Sequence, residues 1–129
     1  MSARPRLLAT TPLFVVSELD RALKFYERLG FHAPRTWGEP PCFAMPRRGE
    51  FELMLSLAAE PSRLRPNGPD GAWDVYLVVA DLAAEKTALE PEGVALARQP
   101  ETTEYGLVEL EIVDPDGYRI CYAQDAGNA

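Results

Sequence analysis

Val16-Ser17-Glu18-Leu19, running on through Phe25-Tyr26-Glu27-Arg28-Leu29-Gly30-Phe31, has a counterpart further along the chain. Sixty-three residues on, Val79-Ala80-Asp81-Leu82 leads to Gly93-Val94, so valine, acid, leucine and glycine return at one spacing. A repeat of that size is the trace of a duplicated supersecondary unit. Each copy reads as an apolar strand, a turn into a helix, and a glycine that stops the helix. Such a unit has an apolar sheet face that it cannot bury alone. The two copies are therefore expected to pack together, with a ligand groove where they face each other.

Around the first copy, Leu7 to Val16 is rich in strand formers, and Ser17 with Asp20 three residues later reads as a helix cap. Leu19, Ala22, Leu23, Tyr26 and Leu29 fall at helical spacing. Cys42 to Met45 and Phe51 to Leu57 read as strands joined by a turn at 46–50. Residues 60–71 hold Pro61, Pro66, Gly68, Pro69 and Gly71, a composition that sustains neither helix nor central strand. They read as the linker between modules 7–58 and 72–124 of a single domain, 7–124. In the second module Trp73 to Val79 reads as a strand, Leu82 to Leu89 as a helix and Val94 to Arg98 as a strand. Tyr105 to Val113 and Tyr118 to Ala123 then form a hairpin around Asp114-Pro115-Asp116-Gly117. The tail after Gln124 is expected to fray.

A chain of 129 residues with 47% hydrophobic and 26% charged content suits one globular domain. Its net charge of −7, from 20 acidic and 13 basic residues, argues against a nucleic-acid partner. No apolar run is long enough to span a membrane. Arg4 and Arg6 before an apolar stretch imitate a secretory signal, but Thr10-Thr11-Pro12 interrupts it and no cleavage site follows. Two cysteines, Cys42 and Cys121, are too few for a disulfide scaffold and lack metal-pair spacing, which fits the cytoplasm. No phosphate loop, nucleophile elbow or Cys-His pair is present, so no catalytic residue is assigned.

The strand-Val-x-acid-Leu start, the helix ending FYERLGF at 25–31, and the Val113-Asp114-Pro115-Asp116-Gly117-Tyr118-Arg119 turn together resemble the vicinal oxygen chelate superfamily. That family groups glyoxalases, bleomycin-resistance proteins and dioxygenases. The resemblance implies an α+β fold of two βαβββ modules, with curled mixed sheets around a groove, usually in a homodimer. It places the family's metal ligands at Thr11, Glu52, Asp74 and Cys121, where histidine and glutamate would be usual. Threonine is a poor ligand and cysteine favours softer ions, so no metal cofactor is expected. The single histidine, His32, follows the helix-stop glycine, outside those positions. The nearest functional likeness is then to the bleomycin-resistance group, whose members bind a drug and do no chemistry. Pro12, Phe43 and Tyr105-Gly106 stand where that group has Pro, Phe and Trp-Gly.

Strand alternation gives the residues' own account. Val108, Leu110 and Ile112 point one way and Glu109 and Glu111 the other; Glu52 opposes Leu53, and Asp74 and Tyr76 oppose Val75 and Leu77. Glu52, Asp74, Glu109 and Glu111 would line a negative groove flanked by Phe43, Tyr76 and Tyr105, with Trp37 and Trp73 suiting either the groove or packing. Such a groove suits a bulky aromatic or cationic ligand, such as an antibiotic. The same acids equally suit the wet face of an antiparallel sheet. A binding protein is thus expected, with a metal-dependent lyase or dioxygenase using an atypical site as the alternative.

Overall fold

The computed structural model describes residues 4–68 and 72–128, and in it the repeated phrase folds the same way twice. Strand β1 (Leu13–Val16) leads into α1 (Leu19–Arg28), then β2 (Thr36–Trp37), β3 (Phe43–Ala44), a small hairpin of β4 (Arg47–Arg48) and β5 (Phe51–Glu52), and β6 (Met54–Leu57). The second half runs through β7 (Val75–Val78), α2 (Leu82–Leu89), β8 (Arg98–Thr102), β9 (Leu107–Val113) and β10 (Arg119–Asp125). The sheets are ordered β1-β6-β3-β2 and β7-β10-β9-β8. In each, the first strand pairs parallel with the last and the other pairs are antiparallel. The fold is α+β, with two open mixed sheets of four strands.

The repeat extends to individual hydrogen bonds. Ala22 N–H donates to Glu18 O at 3.1 Å, and Glu85 N–H to Asp81 O at 3.1 Å. Helix ends match as well: Gly30 to Glu27 O and Phe31 to Tyr26 O are answered by Gly93 to Glu90 O and Val94 to Leu89 O. Gly30 and Gly93 hold φ of 90° and 72°, a left-handed conformation that a Cβ would strain, which is why both copies stop on glycine.

Helix α1 buries Leu19, Ala22, Phe25 and Tyr26, and α2 buries Leu82 and Leu89. These meet Phe14, Val16 and Leu55 of the first sheet and Leu110, Ile112, Ile120 and Tyr122 of the second in one core. Each buried leucine, isoleucine, valine or phenylalanine among them contributes about 1.5–3 kcal/mol by leaving water. Across the seam Phe14 stacks on Tyr118 with ring centroids 4.7 Å apart, and Tyr118 Oη donates to Val15 O at 2.7 Å.

Several boundaries differ from the sequence reading. Strand β1 begins at Leu13, and Leu7 and Leu8 are 83% and 82% exposed with no strand to pack on. Ser17 is not the cap of α1: Glu18 holds that place without a side-chain bond, while Ser17 N–H and Oγ both donate to Asp116. The stretch expected as a strand at 94–98 becomes one only at Arg98, because Val94 N–H is still committed to Leu89 O and pairing with β9 starts only at Ala97. The chain does not fray after Gln124, since β10 runs to Asp125 and Ala126 N–H donates to Gly106 O. The linker is tied down by Arg65 N–H on Tyr118 Oη and Asn67 N–H on Asp74 Oδ1; its residues 69–71 lie outside those described. Among the described residues no helix is long and apolar enough to cross a membrane.

Candidate ligand-binding face

Strand register assembles a row of side chains across the second sheet. Tyr76 stands opposite Cys121, Cys121 opposite Glu111, and Glu111 opposite Arg98, so one residue from each of β7, β10, β9 and β8 lies in line. Directly opposed residues share a face. The next row sets Val78, Ala123 and Glu109 side by side, and Arg119 is opposite Val113. Alternation sends Ile112, Leu110, Ile120 and Tyr122 to the helix-covered core, leaving this polar row on the other face. A register shift between Arg98 and Glu101 marks a bulge, a device that re-aims a side chain, and Arg98 there reaches both acids.

Glu109 is fully buried. Its Oε1 accepts from Arg98 Nη2 at 2.5 Å, and its Oε2 from Tyr76 Oη at 2.6 Å and Tyr105 Oη at 2.5 Å. Glu111 is 4% exposed; its Oε1 accepts from Arg119 Nη1 at 2.9 Å and its Oε2 from Trp73 Nε1 at 3.3 Å, with Arg98 Nε 3.2 Å away. Two carboxylates are matched by two guanidiniums, which is the condition for burying charge. Burial opposes ionisation of Glu109, yet the bonds from Tyr105, Tyr76 and Arg98 outweigh it and hold the carboxyl below its usual range. Burial, then Glu109, pushes the Tyr76 hydroxyl well above its usual value, and the bond to Glu109 raises Tyr105. Burial followed by the charges of Glu109 and Glu111 pushes the Cys121 thiol up to about 12.

Of the residues expected at the site, Tyr76, Tyr105, Glu109 and Glu111 come together. Asp74 lies beside them but is occupied: its Oδ1 accepts from Asn67 N–H and its Oδ2 from Arg119 N–H, each at 2.8 Å. Phe43 and Glu52 belong to the first half. Phe43 sits in a row with Val15, Ser56 and Trp37, its ring 5.8 Å from that of Trp37, and Glu52 is opposite Arg47 in the β4–β5 hairpin. The acids are therefore neither a shared open negative groove nor a wet sheet face, because Arg98 and Arg119 pair and cover the two on β9. Sequence reasoning passed over both arginines. Arg119 carried a usable signal, since it alternates in phase with Cys121 and so points with the acids.

Of the four positions that the resemblance implies as metal ligands, Asp74 and Cys121 are already engaged by their surroundings. Among the described residues no three His, Cys, Asp or Glu side chains converge to hold an ion. Asp74 already satisfies two backbone N–H groups, and the Cys121 thiol is held protonated. This donor set does not fit a divalent metal. Two surface depressions, of about 540 and 260 Å³, lie off this face, one beside the start of α2 at Leu82, Pro100 and Val108, the other at the helix ends over Tyr122 and Arg48.

Two βαβββ units with the same strand order, packed through their helix-bearing sides, define the glyoxalase/bleomycin-resistance class of fold. The family model of the Glyoxalase/Bleomycin resistance protein/Dioxygenase superfamily matches residues 8–122, and the chain belongs to that superfamily. Among solved structures, a bleomycin-binding protein complexed with bleomycin is 22% identical, with a TM-score of 0.73 over 92% of this chain and 99% of that one. A bleomycin resistance determinant encoded on the transposon Tn5 gives 22% identity and 0.73 over 92% of this chain and 98% of that one. A glyoxalase-related enzyme from Clostridium phytofermentans gives 12% and 0.75 over 95% and 99%. No curated protein matches the chain at a significant level.

Proposed function

We propose that the protein binds a bulky aromatic small molecule, of the size and kind of an antibiotic, and sequesters it without metal or chemistry. The carrying observation is the face of the second sheet, where Trp73, Tyr76 and Tyr105 surround carboxylates whose charge is already matched. The rings of Trp73 and Tyr76 lie 4.7 Å apart, and Tyr105 is 59% exposed. Aromatic faces of this kind stack on flat ligands. Pairing of Glu109 and Glu111 with arginines shifts the balance from a cationic ligand toward an aromatic one. The poor metal donor set among the described residues favours binding over catalysis, as does Cys121, which with its thiol raised is a poor nucleophile. Similarity of fold to bleomycin-binding proteins agrees with this reading.

We read the working form as a cytoplasmic homodimer. Strands β1 and β7 are sheet edges, and Leu13 and Val78 on them are 50% and 71% exposed, an arrangement that invites pairing with a second copy. The test of function combines two measurements on protein purified without chelator. Metal content should fall well below one ion per chain, and calorimetric titration with bleomycin and a panel of planar aromatics should find a saturable ligand. One tightly held divalent ion per chain would instead favour the lyase or dioxygenase alternative.

A further inference from the structure

On the open face of the second sheet the carboxylates are the covered groups and the arginines the presented ones. The side chains of Glu109 and Glu111 are 0% and 5% exposed, those of Arg98 and Arg119 34% and 22%. All four carboxylate oxygens already accept hydrogen bonds. An incoming cation would have to displace an arginine from a buried acid. A guanidinium, by contrast, has five N–H donors. Arg98 commits Nη2 to Glu109 and turns Nε toward Glu111, and Arg119 commits Nη1 to Glu111 through its side chain. Among the described residues nothing takes Arg98 Nη1, nor Nη2 and Nε of Arg119.

We infer that the ligand of this face is a planar aromatic acid, its ring against Trp73, Tyr76 and Tyr105 and its anionic oxygens on the uncommitted N–H groups of Arg98 and Arg119. The inference rests on the aromatic-binding reading above and narrows it to one chemical class. A guanidinium edge matches the two oxygens of a carboxylate in a way that an ammonium cannot imitate. The chain's net charge of −7 does not draw an acid in, so selection comes from short, directed bonds rather than from the long-range field. Glu101, opposite Glu109 on the edge strand β8, is an exposed carboxylate at the same face and gives a cation its best competing partner.

Three probes that share one ring separate the possibilities by calorimetry at neutral pH: naphthalene carboxylate, naphthalene methanol and naphthylmethyl ammonium. The carboxylate should bind about tenfold or more tightly than the alcohol, and the ammonium no better than the alcohol. Truncating Arg98 alone leaves a buried, unpaired Glu109 and can unfold the sheet. The variants are therefore Arg119→Gln and the paired Arg98→Gln/Glu109→Gln, each checked for a native melting transition. Each should lower the carboxylate's preference severalfold while alcohol binding stays within about twofold. Tightest binding of the ammonium, or a carboxylate preference intact in both variants, overturns the inference while leaving aromatic binding in place. If none of the three probes binds while bleomycin or another planar aromatic of the panel does, this inference falls and aromatic binding stands; if nothing binds, both fall.

Discussion

Tyr26 donates its hydroxyl to Asp114 Oδ2 at 2.7 Å across 88 residues of chain, with the tyrosine fully buried and the aspartate 4% exposed. The other oxygen of Asp114 accepts from the N–H groups of Asp116 and Tyr118, which shapes the turn between β9 and β10. Asp116 then takes Ser17 N–H and Oγ at 3.0 and 2.6 Å. Helix α1 of the first half is thereby fastened to the last hairpin of the second by polar bonds set inside the shared core.

Replacing Tyr26 with phenylalanine should therefore destabilise the whole chain by about 1–3 kcal/mol, because a buried carboxylate loses a donor while the ring's packing is kept. Ser17→Ala, which spares the backbone N–H bond, should cost less, about 0.5–1.5 kcal/mol. Urea unfolding measures both. An unchanged midpoint for Tyr26→Phe would show that the bond to Asp114 does not help to join the halves.

The two cysteines should differ sharply in reactivity. Cys121 is fully buried in β10 with its thiol raised to about 12, whereas Cys42 is exposed. Since the thiolate is the reactive form, a chromogenic disulfide reagent should titrate one thiol per native chain and the second only after denaturant. Two thiols reacting at one fast rate would mean that β10 opens readily or that Glu109 and Glu111 are not packed against it.

The duplication was legible because it is carried by local chemistry: a glycine at positive φ stops the helix in both copies, so Gly30 and Gly93 announce themselves. The acid before the helix repeats as a residue type only, since Asp81 caps through Ala84 N–H while Glu18 makes no such side-chain bond. Strand alternation likewise placed Glu109, Glu111 and Tyr76 on one face. What alternation could not give was the partner strand. Arg98 lies on a bulged edge strand whose register depends on where α2 releases the chain, and its approach to Glu109 is set by tertiary pairing. Ser17 shows the same limit, since a residue that looks like a local cap is taken by Asp116 from the other half. The charge of the site was misread for one reason, that neutralising arginines come from strands other than the acids' own.

Homodimer formation is expected to hide the sheet edges that carry Leu13 and Val78. Light scattering at micromolar concentration should give twice the chain mass. Leu13→Lys or Val78→Lys should shift it toward the monomer with little loss of intrachain stability, because both side chains are exposed within one chain. A parent protein that is already monomeric at that concentration would remove the dimer from the account.

Glu109 and Asp114 should pull the pH dependence of stability in opposite directions. Burial resists ionisation of Glu109, but the bonds from Tyr105, Tyr76 and Arg98 win, so its folded value lies below the ordinary 4.5. Its contribution is then complete above the unfolded value and is lost as pH falls through the folded one. For Asp114 burial outweighs the bonds from Tyr26, Tyr118 and Asp116, and its folded value lies above the ordinary 3.8. That contribution is complete below the unfolded value and lost as pH rises through the folded one. Unfolding curves collected between about pH 3 and pH 6, the carboxylate range, separate the two. Relative to the parent, Glu109→Gln should flatten the rise of stability with pH, even though it weakens the fold at neutral pH by leaving Arg98 short of a partner. Asp114→Asn should steepen the rise. If both variants keep the parent's slope, neither carboxyl titrates as its surroundings require, and the arginine cover over Glu109 is looser than its 2.5 Å bond indicates.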